Sequence, residues 1–152
     1  TGNLGAVMGA LKARFAGRFD GRQASEIARR VLVAEGVRDA IVSITFLGRR
    51  AMAALNRKHL GHRGATDVIS FGFGESVRDG PVIGDIYIAP DVARANARSH
   101  ETGVREELAR LVVHGVLHIL GYDHRDDDSR VVSPMWQRQE RLLARVVEEA
   151  LA

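Results

Sequence analysis

The chain has 152 residues, 45% hydrophobic and 27% charged, the size and balance of one globular domain with one hydrophobic core. No apolar run approaches the roughly 18–20 residues of a membrane-spanning helix, and the absence of cysteine excludes disulfides and thiolate-bound metal. The formal charge is only +3, yet the isoelectric point is near 9.9 and all but two of the 22 basic residues are arginine. Arginine forks suit phosphate, while solvated arginines on helix faces account for the same count.

Leu4, Val7, Met8, Leu11 and Phe15 recur at helical spacing, diluted by Gly2, Gly5 and Gly9. This N-terminal stretch lacks the basic-then-apolar order of a signal peptide. With no cysteine, a cytoplasmic protein is expected, and a start at Thr1 rather than Met leads us to expect a trimmed or processed chain. Ala24 to Glu35 reads as a helix stopped by Gly36. The β-branched, partly alternating run Ala40 to Leu47 reads as a strand. Arg49 to His59 reads as a helix with Met52 and Leu55 inward. Strands are expected over Asp67 to Phe73 and Val82 to Ala89, with Gly72, Gly74, Gly80 and Pro81 marking the connection. Pro90 to His100 is a short helix with proline in its first turn, and Glu106 to Leu120 is the most apolar helix. Asp126 to Ser129 offer caps and first-turn acids for a last helix running to about Ala150. Mixed helices and strands place the chain in the α/β or α+β class.

Three of the six histidines fall in His114-Gly115-Val116-Leu117-His118-Ile119-Leu120-Gly121-Tyr122-Asp123-His124. A helix stacks His114 and His118 one turn apart on one face, so both imidazoles can reach one metal ion. His124 would lie roughly 120° off that face if the helix continued. The helix must therefore stop, and Gly121 can take the left-handed cap. The turn through Tyr122 and Asp123 can then return His124 to the other two. The apolar surroundings predict that His114 and His118 are buried, where unpaired polar groups are costly. Chance clustering of core histidines is the competing reading. Three nitrogen ligands favour Zn²⁺, with Ni²⁺, Cu²⁺ or Fe²⁺ also compatible, and they leave a position open for water or substrate. The H-E-x-x-H proteases place a general base directly after the first histidine; here that residue is Gly115, which leaves room either for close packing or for substrate.

The histidine string closely resembles the signature of the YbeY family of bacterial metal-dependent endoribonucleases. Leu55-Asn56, the Thr66-Asp67-Val68-Ile69-Ser70-Phe71 strand, Gly84-Asp85-Ile86, Leu111-Val112-Val113 and the Met135, Gln139 and Leu143 positions resemble further family elements in order, over about residues 41–143. The resemblance implies one small α/β (α+β) domain over residues 1–152, with a short mixed sheet packed by helices and a zincin-like metal cleft at the end of a central helix. It implies one Zn²⁺ held by His114, His118 and His124 and cleavage of single-stranded RNA. It also implies roles in 16S ribosomal RNA 3′-end maturation and ribosome quality control, with the ribosomal subunit as a further partner. The family's arginine after its LN element is replaced by Leu60. Arg57, Lys58 or Arg63 can supply a cation from nearby; Arg57 and Arg63 are expected to bind substrate, and His114 and Arg63 to take the catalytic roles. Asp67 and Asp85 are candidates either to hydrogen-bond a ligand histidine or to make a buried structural hydrogen bond, and Asp126-Asp127-Asp128 reads as helix N-terminal charge rather than a second metal site. Two other functions compete: a metzincin-like metalloprotease lacking the usual glutamate, with Pro134-Met135 as a Met-turn, and a non-catalytic, metal-stabilised RNA- or ribosome-binding module.

Overall fold

The computed structural model describes residues 20–73, 81–122 and 133–151. Among the described residues, five helices and three strands follow in chain order: α1 Gly21–Ala34, β1 Ala40–Phe46, α2 Arg49–Leu60, β2 Val68–Phe73, β3 Val82–Ile88, α3 Pro90–Ser99, α4 Val104–Ile119 and α5 Pro134–Leu151. The helical spacing near the N-terminus, Gly74 and Gly80, Asp126-Asp127-Asp128 and His124 lie outside the described residues, while Gly72, expected in the β2–β3 connection, lies within β2.

Helix α1 begins three residues earlier than its apolar pattern suggests, because Asp20 and Gln23 form a capping box. The Gln23 amide N–H donates to Asp20 Oδ1 at 2.9 Å and the Asp20 N–H donates to Gln23 Oε1 at 3.0 Å, which satisfies two orphan donors at once. The last helix begins later than expected. Ser133 caps it, its hydroxyl accepting from the Trp136 N–H at 3.0 Å, and Pro134 takes the first turn. There the missing proline N–H costs nothing.

The sheet order is β1-β3-β2, with β1 parallel and β2 antiparallel to β3. Val42, Ile44, Ile86 and Ile88 are buried on one face, where α1, α4 and α5 complete the main core. Helix α2 packs on the opposite face, around Met52, Ile69 and Ala89 with Leu55, Phe71 and Tyr87 beside them. Asp85 lies on that second face, where it accepts from the Ser43 hydroxyl at 2.5 Å across the parallel pair. The histidine helix and the arginine-bearing α2 are thus separated by the sheet.

Two glycines set how closely α4 approaches. A Cβ on Gly115 would meet Cγ2, Cδ1 and Cγ1 of Ile86 at 2.9–3.1 Å, and one on Gly84 would meet Ile119 Cδ1 at 2.6 Å and the Phe71 carbonyl oxygen at 2.8 Å. Gly115 is therefore a packing residue, and its missing side chain leaves no room for substrate.

Candidate metal centre and cationic face

Helix α4 ends where the three-histidine reading requires. Its last residue is Ile119, and Gly121 has φ +99°. The Tyr122 N–H donates to the Leu117 carbonyl and the Gly121 N–H to the His118 carbonyl, both at 3.0 Å. This bond pair is the Schellman cap, and Tyr122 supplies its usual apolar contact by packing on the core. The chain is turned out of the helix immediately before the segment that carries His124.

The imidazoles of His114 and His118 meet edge to face, with ring centres 4.5 Å apart and planes at 78°. Rings that share a tetrahedral ion through bonds of about 2.0–2.1 Å have centres roughly 5 Å apart, so a small side-chain adjustment brings both nitrogens onto one ion. Among the described residues no third His, Cys, Asp or Glu joins them. His124, the third ligand expected from the sequence, lies outside the described residues. Contrary to the burial expected from the apolar string, both histidines are partly exposed, while Val112, Val113, Val116 and Leu117 around them are fully buried. The two imidazoles occupy the α4 stripe that the core does not close over.

Neither acid expected beside a histidine is there. Asp85 is engaged by Ser43, and Asp67 accepts from the Asn96 amide at 3.2 Å. The partner of His114 is Gln139 of α5, whose Oε1 lies 2.6 Å from Nδ1. Gln139 is buried, as are Met135, Leu142, Leu143 and Val146 along the same helix. A lone amide in an apolar stripe at helical spacing is the signal in the sequence that points to it.

The sequence from Ala40 to Thr66 contains no acidic residue, and its basic residues are Arg49, Arg50, Arg57, Lys58 and Arg63. All five are exposed. Arg57 lies near the C-terminus of α2, where cations are favoured, and Arg63 lies in the loop between Gly61 and Gly64. That loop is held from below by Asn56, which is 4% exposed and donates through Nδ2 to the Gly64 carbonyl at 2.9 Å. Leu60 is 47% exposed, so the position that carries arginine in the related pattern opens to solvent. Arg57, one turn before it, shares its helix face. Among the described residues, His114 and His118 are brought together, and no hydrogen bond or ion pair joins Arg57 or Arg63 to either of them.

Comparison with known proteins gives a consistent result. The family model described as Endoribonuclease YbeY matches residues 17–147, a longer span than the motifs alone suggest. The chain is 42% identical over 130 residues to the Endoribonuclease YbeY of Anaeromyxobacter sp. (strain Fw109-5), covering 85% of this chain and 66% of that protein. It is 38% identical over 120 residues to that of Chlorobium phaeobacteroides (strain BS1), covering 79% and 83% respectively. The solution structure of TM1509 from Thermotoga maritima superposes with a TM-score of 0.62 at 24% identity, over 91% of this chain and 89% of that one, which shows a shared fold.

Proposed function

The chain belongs to the YbeY endoribonuclease family, and from that premise we propose that it is a zinc-dependent endoribonuclease specific for single-stranded RNA, acting in the cytoplasm. The proposed substrate is ribosomal RNA, at the 16S 3′ end and in ribosome quality control, with the ribosomal subunit as partner. His114, His118 and His124 are the proposed ligands of one zinc ion. When bound, zinc supplies a Lewis acid for the phosphodiester and a water-derived nucleophile near neutral pH.

The observation that carries this reading is the pairing of His114 with His118 at the capped end of α4. With Nδ1 of His114 directed at Gln139, a metal at that ring is met through Nε2. Arg57 and Arg63 are the proposed phosphate contacts. They stand in a segment without acidic residues, and phosphate contacts of this kind need no base recognition. Arg63 retains the proposed role of steadying charge on the reacting phosphate.

A metalloprotease fits less well. The position that carries the protease glutamate is occupied by Gly115, which faces Ile86 in the core, so no base can act from there. Incubating the protein with single-stranded RNA, duplex RNA and casein, each with and without chelator, tests the proposal. Cleavage of single-stranded RNA alone, abolished by chelator, is the expected result. Chelator-sensitive casein cleavage, or RNA binding without cleavage, would replace it with the protease or the binding module.

A further inference from the structure

We propose that Gln139 is a positioning residue that fixes the His114 ring in its Nδ1–H tautomer, and that a chain of side chains behind Gln139 leaves it no other choice. The proposal rests on the metal reading for its purpose and on the hydrogen bonds alone for its mechanism. Glu140 offers only acceptor oxygens, since Arg110 holds its carboxylate in a fork, Nε to Oε2 at 3.0 Å and the terminal NH2 to Oε1 at 3.2 Å. Glu140 Oε2 also accepts a hydrogen bond from the Gln139 amide nitrogen at 3.1 Å. A carboxylate cannot receive the oxygen end of an amide. The Gln139 nitrogen must therefore point at Glu140, and its oxygen must point at His114.

An amide oxygen cannot donate. The 2.6 Å contact between Gln139 Oε1 and His114 Nδ1 is a hydrogen bond only if Nδ1 carries the proton. The lone pair of the neutral ring is then on Nε2, the nitrogen left for a metal. The tautomer of a ligand histidine is commonly set by the bond its other nitrogen makes, and here that bond is set in turn by a fixed charge.

The far end of the chain is anchored as well. Arg110 also donates to Glu107 at 3.0 Å, and Glu107 is buried on α4 itself. Burial pulls the Arg110 guanidinium down, but its bond to Glu140 and the charges of Glu140, Glu107 and Glu106 outweigh this and hold it above its ordinary value. The path Glu107–Arg110–Glu140–Gln139–His114 leaves α4, crosses to α5 and returns to α4 one turn on. It ties the histidine's orientation to the docking of the two helices.

A satisfied core amide with no bearing on the metal is the competing role, and two measurements separate them. The first is the nitrogen-15 spectrum of the His114 ring in metal-free protein, for wild type, Glu140→Ala and Gln139→Met. Wild type is expected to show a protonated Nδ1 and an unprotonated Nε2, the reverse of the tautomer an isolated imidazole prefers. Both variants are expected to move toward a mixture. The second is zinc affinity by competition with a chromophoric chelator. Gln139→Met, nearly the same size without the acceptor, is expected to lose about ten- to a hundredfold. A proton on Nε2 in wild type, or unchanged zinc affinity in Gln139→Met, would overturn the proposal. Wild-type protein with the expected tautomer but no zinc binding would overturn the metal reading and leave the relay standing.

Discussion

Placing an alanine at residue 115 probes the tightest contact between the histidine helix and the sheet. Two effects oppose each other. Replacing glycine inside a helix with alanine gains about 0.8–1.0 kcal/mol. The new Cβ, however, would lie 2.9–3.1 Å from three carbons of the Ile86 side chain. Ile86 is fully buried and β-branched, so it cannot swing aside, and overpacking of this kind costs about 1–3 kcal/mol. Gly115→Ala should therefore be neutral to destabilising, by about 0–2 kcal/mol. The signs separate in a double-mutant cycle. Ile86→Ala deletes all three clashing carbons, and in that background Gly115→Ala should stabilise by about 1 kcal/mol. Urea denaturation of the four proteins gives the coupling energy, expected at about 1–3 kcal/mol. A Gly115→Ala protein that gains the full helix-propensity increment beside an intact Ile86 would refute the packing argument. It would also reopen position 115 as space for substrate.

Three other outcomes follow from the same structure. Asn56→Ala removes the support of the Gly64 carbonyl and should cost about 1–3 kcal/mol, with weaker RNA binding if Arg63 contacts phosphate; unchanged values for both would show that the loop needs no prop. If Arg57 and Arg63 each neutralise one phosphate, removing both should flatten the dependence of log affinity on log salt by about 1.4 for single-stranded RNA, and an unchanged slope would place the RNA elsewhere. Burial, helped by the charge of Asp85, raises the Tyr87 phenol above its ordinary value. The unfolded chain therefore loses that proton first as pH rises, and stability present below about pH 10 falls as pH climbs through the folded value. Tyr87→Phe should show a smaller alkaline loss in thermal melts, whereas an identical alkaline profile would contradict the assignment.

Where local chemistry decides the structure, the sequence was read closely. The stop at Gly121 follows from glycine's access to positive φ, and the strand alternation of Ala40 to Phe46 follows from a sheet buried on one face. Structure departs from the sequence pattern where the deciding partner is distant in the chain or is a polar cap. The start of α1 depends on the reciprocal Asp20–Gln23 cap, which apolar spacing does not register. The partial exposure of His114 and His118 depends on which stripe of α4 the other helices leave uncovered, although their neighbours in sequence are apolar. Asp85 suits a histidine or a structural hydrogen bond by type, and strand register decides for Ser43. Gln139 sits twenty-five residues from His114, and only the packing of α5 on α4 shows what its buried amide serves. The cations were legible as a composition. Their exposure depends on α2 packing on the sheet through Met52 and Leu55, which turns its basic residues outward.

The most direct test of the central claim is cleavage of a 16S ribosomal RNA 3′-end fragment by wild-type protein and His118→Ala, purified in parallel, each with and without chelator. The account predicts cleavage by wild type alone, lost on chelation, with the variant folded and inactive. Equal cleavage by both proteins, or none by zinc-loaded wild type, would contradict it.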